Sequence, residues 1–180
     1  MGRKPFYKQL IKGYLNLFFS FVLCIMMMPA FVFATHPVIY IILQVFCSII
    51  LLGLFAHLAW KDAKAEIQIM KYRREEKEAK SRWLAIGIFM TIPFYITLIL
   101  LVVSKLGYIG NVMPIYKILN AQFLPLIALI APDADVANMA WYCVPIFAIL
   151  PLTIPITTHL SFKISYKDKV NLEKIMYEDQ

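Results

Sequence analysis

Residues 13–60 contain no Asp, Glu, Lys or Arg, an uncharged run of 48 residues. A helix crosses the hydrocarbon core of a bilayer with about 20 residues. The run is therefore too long for one crossing and suits two joined by a turn. The turn is expected at "ATHPVIY", residues 34–40. Pro37 has no amide to donate and biases His36 away from helical backbone. The first two spans are expected at 14–35 and 38–60. A rival reading is a secretory signal, with a basic start and "VFA" at 32–34 as a small-residue cleavage pattern. The apolar run is about twice a typical signal core, so it is expected to be retained.

Composition supports the bilayer over a large soluble core. Apolar residues make up 61% of the chain and charged residues 16%, against about 45–50% and about 25% in soluble domains. The net charge of +7 raises nucleic acid as a partner. That class is set aside because the charges gather at the ends of apolar runs, where a bilayer selects them.

Two further uncharged runs cover 83–104 and 136–162, expected as spans three and four. Between them the only long apolar stretch is 118–132, 15 residues that include Pro125. At about 1.5 Å per residue it reaches only about 22 Å, short of a core of about 30 Å. It is expected to be a re-entrant or interfacial helix within an outer insert at about 105–137. Lys and Arg set the orientation. With four spans, sixteen basic residues in 1–13, the 61–82 loop and the 162–180 tail share one side, and Lys105 and Lys117 stand on the other. A fifth crossing would change this to twelve against six. By the positive-inside rule both termini and the central loop are expected to be cytoplasmic.

The expected fold is thus an all-α polytopic membrane protein with four transmembrane helices as two helical hairpins. Its parts are a cytoplasmic amphipathic segment 1–13, hairpin one at 14–60, a charged helical loop 61–82, hairpin two at 83–161, and a cytoplasmic tail 162–180. In the first part Phe6, Leu10 and Ile11 form one face and Lys8 and Lys12 another, as in a short helix lying in the leaflet. In the loop, Glu76–Lys80 and Glu78–Arg82 stand four apart in the favourable order. Lysine outnumbers arginine 14 to 4, which suits an AT-rich genome and a bacterial plasma membrane.

One phrase occurs twice. "HLAWK" at 57–61 and "HLSFK" at 159–163 each close an apolar run, and "KDAKAEIQIM" (61–70) and "KDKVNLEKIM" (167–176) follow them. This suggests that the two hairpins form a parallel internal repeat about an axis along the membrane normal. The plain reading of the phrase is an anchor. Trp60 and Phe162 would lie at the headgroups, Lys61 and Lys163 would reach for phosphates, and the histidines would sit one turn deeper. The sharper reading makes His57 and His159 a symmetric ligand or proton-relay pair. No carboxylate within either span is positioned to complete it.

Span four carries Pro145, Pro151 and Pro155, candidate hinges, with Thr153, Thr157 and Thr158 near enough to satisfy freed carbonyls. Polar groups inside the runs are few: Asn16, Gln44, Asn120 and Gln122. Asp133 and Asp135 are expected to cap the start of span four, and a calcium site would want more ligands than these and Asn138 supply. Cys24, Cys47 and Cys143 lie in or at the edge of apolar runs without metal-ligand spacing. They are expected to be packing residues, with no metal and no cofactor. No nucleophile motif, phosphate-binding glycine loop or HExxH is present, so an enzyme is the less favoured class.

Three functions remain in order: a non-enzymatic subunit, scaffold or regulator of a membrane complex; a transport or small-solute-binding unit; and a membrane-embedded lipid-modifying enzyme. The expected partners are the lipid bilayer, another membrane or cytoplasmic protein docking on 61–82, and a second copy of the chain.

Overall fold

A computed structural model describes residues 5–29, 36–73 and 82–178. The described residues contain helices and no strands. The long elements are α1 (Phe6–Met26), α2 (Pro37–Arg73), α3 (Arg82–Lys105) and α7 (Thr153–Glu178). Shorter ones are α4 (Met113–Leu119), α5 (Leu124–Ile130) and α6 (Cys143–Ile149), joined by single 3-10 turns at Ala121–Phe123, Val136–Asn138 and Leu150–Leu152. Four helical stretches are long and apolar enough to cross a membrane: Phe6–Met26, Pro37–Ala65, Arg82–Lys105 and Cys143–Ser165.

The boundaries differ from expectation in physically simple ways. α1 starts at Phe6, because nothing between the basic segment and the apolar run breaks a helix. α2 opens on Pro37, whose missing N–H costs nothing in a first turn. The fourth stretch starts at Cys143, because residues 131–142 form a loop with a 3-10 turn. Asp135 caps that turn, its Oδ1 accepting from Ala137 N at 3.0 Å, and does not cap α6. The pairs Glu76–Lys80 and Glu78–Arg82, and the "VFA" stretch, lie outside the described residues in whole or in part.

α1 runs antiparallel to α2. Gln9 Nε2 donates to Asp62 Oδ2 at 2.9 Å, Asn16 Nδ2 donates to Leu54 O at 3.4 Å, and Cys24 meets Cys47. α3 runs antiparallel to α6 and α7. Tyr95 OH donates to Ala148 O at 3.0 Å, and Thr158 Oγ1 lies 3.4 Å from Trp83 O. α2 also packs along α7, where Ser165 Oγ donates to Trp60 O at 3.5 Å. Phe55, Leu51, Trp83, Ile86, Met90, Leu101, Phe147 and Ile154 fill the centre.

α3 and α7 come closest at Gly87. A Cβ there would stand 2.5 Å from Pro155 Cα and 2.6 Å from Thr158 Oγ1, so only glycine allows the two backbones to meet. The lysines on the far side from Asp62 are turned inward. Lys105 Nζ donates to the carbonyls of Val136 and Met139 and lies over the Trp141 ring. Lys117 Nζ donates to Pro132 O at 3.1 Å and Asp133 O at 2.8 Å. Asn111 completes the clamp, donating to Ala134 O and accepting from Val136 N. The 131–142 loop is thus tied down by three polar side chains from outside it.

Candidate binding site at a broken helix

The apolar stretch 118–132 is broken near its start. Met113–Leu119 and Ala121–Ile130 meet at 89°. The break falls at Asn120, with φ −106° and ψ 39°, followed by a 3-10 turn and by Pro125 in the first turn of α5. Such a break leaves backbone groups without helical partners. In an apolar setting each must find another. Asn120 Nδ2 donates to Tyr116 O at 2.8 Å and to Thr97 Oγ1 at 3.0 Å. Gln44 of α2 uses both ends of its amide: Nε2 donates to Gln122 O at 3.3 Å, and Oε1 accepts from Leu126 N at 3.2 Å. The break is therefore held from α2 and from α3.

Asn120 and Gln122 are 2% and 1% exposed, deeply buried for amides. Gln122 Oε1 has no hydrogen-bond partner. An amide oxygen left alone in an apolar site costs about 1–3 kcal/mol, so it is a poised acceptor.

Gln122 lines a cleft of about 290 Å³ between α1 and α3. Tyr14, Leu17, Phe18 and Phe21 form one wall, Pro93, Phe94 and Thr97 the other, and Leu119 stands beside Gln122. Pro93 deprives Phe89 O of its helical donor. Tyr14 OH, at 2.7 Å, supplies the missing bond from across the cleft. The carbonyl that Pro93 frees is thus bonded by the phenol of the facing helix. The lining is aromatic and apolar apart from the polar groups of Tyr14, Thr97 and Gln122, a combination common in small-molecule sites. Neutral amides and a threonine hydroxyl bind and orient; none of them is a general base at neutral pH. The chemistry on offer is recognition.

The residues singled out from the sequence lie elsewhere. His57 is exposed on α2. His159 is half-buried on α7, and its Nδ1 is buried without a partner. No hydrogen bond joins the two among the described residues. Pro145 is exposed in the first turn of α6, Pro151 is buried in a 3-10 turn, and Pro155 is buried against Gly87. Thr153 Oγ1 donates to Leu150 O at 2.8 Å beside the second of these. The aromatics of the repeated phrase also part company. Trp60 is exposed under Lys64, and Phe162 is buried in a stack on Trp83 at 6.2 Å.

Sequence reasoning passed over Asp62, which is 2% exposed. It stands beyond the last uncharged residue and so read as part of the charged loop. It lies five residues after His57, a turn and a half of helix, which puts it on the inner face when His57 is outside. Gln44, Asn120 and Gln122 were visible as amides within apolar runs, but their convergence on one break needed the fold.

A second depression of about 200 Å³ lies in the 130–143 loop, beside Asp133, Asp135 and Asn138. Among the described residues no three His, Cys, Asp or Glu side chains stand together as a metal site would require. Comparison with known proteins gives no likeness to argue from: no family model, no curated protein and no solved structure matches the chain.

Proposed function

We propose that the chain is a non-enzymatic binding unit of the plasma membrane that holds a small lipid-soluble molecule at the broken helix. The observation that carries this reading is that Gln122, whose buried Oε1 lacks a partner, lines the aromatic cleft. The ligand has an apolar, flat body for Tyr14, Phe18 and Phe94, and one N–H or O–H to donate to Gln122. Pro93 stands 11 residues into α3, about 16 Å along the helix, so the cleft lies near the middle of a bilayer and admits its ligand from the lipid. Protein in lipid nanodiscs, washed and extracted, should release a donor-bearing apolar compound by mass spectrometry. Gln122→Leu should lose that compound while retaining ordinary phospholipids. Identical extracts from the two proteins would sink the reading.

The topology that goes with it has two helical hairpins, α1–α2 and α3 with α6–α7, both termini cytoplasmic and α4–α5 re-entrant from the outside. The antiparallel pairings and the inward turn of Lys105 and Lys117 support it. The internal repeat is proposed for the order of the helices alone. Single cysteines at Lys64 and Lys163, in a chain freed of its native thiols, should resist an impermeant reagent in intact cells, and one at Asp135 should react. Labelling of Lys163 together with Asp135 would require five crossings.

A second reading, a scaffold for a membrane complex, rests on α2. Its 37 residues reach about 55 Å, about 25 Å beyond a hydrocarbon core of about 30 Å. That projecting part offers a cytoplasmic protein, or a second copy of the chain, a place to dock.

A further inference from the structure

Cys24 and Cys47 are 23 residues apart in the sequence, on different helices, and both are at most 1% exposed. The antiparallel register of α1 and α2 brings them together in one buried cluster. Around them pack Phe21, Ile25, Met27 and Met28, with Ala121 of the broken helix closing the far side. Met27 and Met28 follow Cys24 by three and four residues. The backbone keeps helical angles through Met27 and is helical again at Met28. These are the spacings that place side chains on one helix face. Two buried cysteines and two partly buried methionines thus gather in one apolar cluster.

We propose that Cys24 and Cys47, with Met27 or Met28, form a binding site for a soft monovalent cation, Cu(I). Thiolate and thioether ligands select Cu(I) among biological metals. Charge decides in the same direction. One Cu(I) displaces one thiol proton, which leaves to water, and forms one Cu–S bond to the resulting thiolate. The cation and that sulfur together are neutral, and the other thiol and a thioether complete the shell without charge. A neutral site escapes the penalty for burying an unpaired ion. Zinc is excluded by count, since it takes four N, O or S ligands drawn from Cys, His and carboxylates. Among the described residues only two such side chains belong to the cluster. No change of oxidation state is involved, because the metal enters as Cu(I). The site adjoins the cleft through Phe21, and none of its four sulfur residues lines the cleft.

The test is a Cu(I) titration of the whole protein in lipid nanodiscs, without oxygen, against bathocuproine disulfonate as competing chelator. One Cu(I) per chain is expected, with release of one proton and a sulfur-only shell by X-ray absorption. Ag(I) should displace it and Zn(II) should not. Cys24→Ser and Cys47→Ser should each lose stoichiometric binding, Met27→Leu with Met28→Leu should lower affinity, and Cys143→Ser should change nothing. The wild-type measurements stand even where a serine variant fails to fold. Absence of binding, a nitrogen or oxygen shell, displacement by zinc, or full binding by folded Cys24→Ser and Cys47→Ser proteins would each overturn the proposal.

Discussion

The two antiparallel helix pairs repeat a phrase and are held together by different means. α1 and α2 are joined by polar side chains at one end, Gln9 to Asp62, and by sulfur near the other. α3 and α7 are joined by close backbone approach, Gly87 against Pro155. The buried stripes differ as well. On α2 the core takes Leu51, Phe55, Leu58, Ala59 and Asp62, whereas on α7 it takes Ile154, Thr158, Phe162 and Ser165. Shifted by the 102 residues that separate the phrases, Ile154, Thr158 and Phe162 fall one position later than Leu51, Phe55 and Ala59, while Ser165 falls on the buried Ala63. One position is about 100° around a helix. The same five-letter motif therefore shows the core a different face in each half. A repeated phrase at the edge of an apolar run marks where the apolar part of a helix ends and leaves open how it is rotated.

Glycines give the largest contrast to test. Gly87→Ala should destabilise the fold by about 3 kcal/mol, the upper end for overpacking, because the added carbon meets backbone that cannot yield. Gly53 on α2 has nothing within 4 Å of its would-be Cβ. There Ala should be neutral or stabilising by up to about 1 kcal/mol through helix propensity. Thermal unfolding of the two variants in one detergent measures both. If both changes are equally costly, the difference in how the pairs are held disappears.

Asp62 comes next. Asp62→Leu leaves the buried Gln9 amide without its carboxylate and should cost about 2 kcal/mol. The matching position 102 residues on is Ile164, which is exposed. Ile164→Asp should leave the melting temperature almost unchanged. Equal losses at the two positions would restore the symmetry the phrase suggests.

The histidines give the smallest effects. His57→Gln should stay within about 0.5 kcal/mol, as for other exposed changes. His159→Leu should stabilise the protein slightly, since it removes a buried ring nitrogen that has no partner. Both are read from denaturation curves at pH 7. A large loss at His57 would indicate a contact the exposed ring does not show.

Much of the fold was legible because charge is a coarse and reliable signal in a chain of this composition. The uncharged runs located four helices, and Pro37 and Pro125 stood where new helices begin. Two things were hidden. Rotation about the helix axis was hidden because apolar residues surround each span, so no polar face marks the lipid side; Phe55 and Phe46 read alike, and one is buried and the other exposed. The site was hidden because it is built across elements. Gln44 and Gln122 are 78 residues apart, and nothing in the neighbourhood of either names the other. Asp62 was hidden by its company, a carboxylate between two lysines that looks solvated until Gln9 is placed beside it.

α2 has one more property. After Pro37 it contains no proline, and it runs unbroken from the residue that grips the broken helix, Gln44, out to Arg73. The α6–α7 column beside it is interrupted at Leu150–Leu152 and cannot act as a single piece. α2 is therefore a lever. A rotation imposed near Arg73 has no joint to absorb it before Gln44, some 43 Å away at about 1.5 Å per residue. A torque applied at the distal end would be resisted first by the bonds to Asp62, Trp60 and Leu54, and what passed them would reach the amide that holds Gln122.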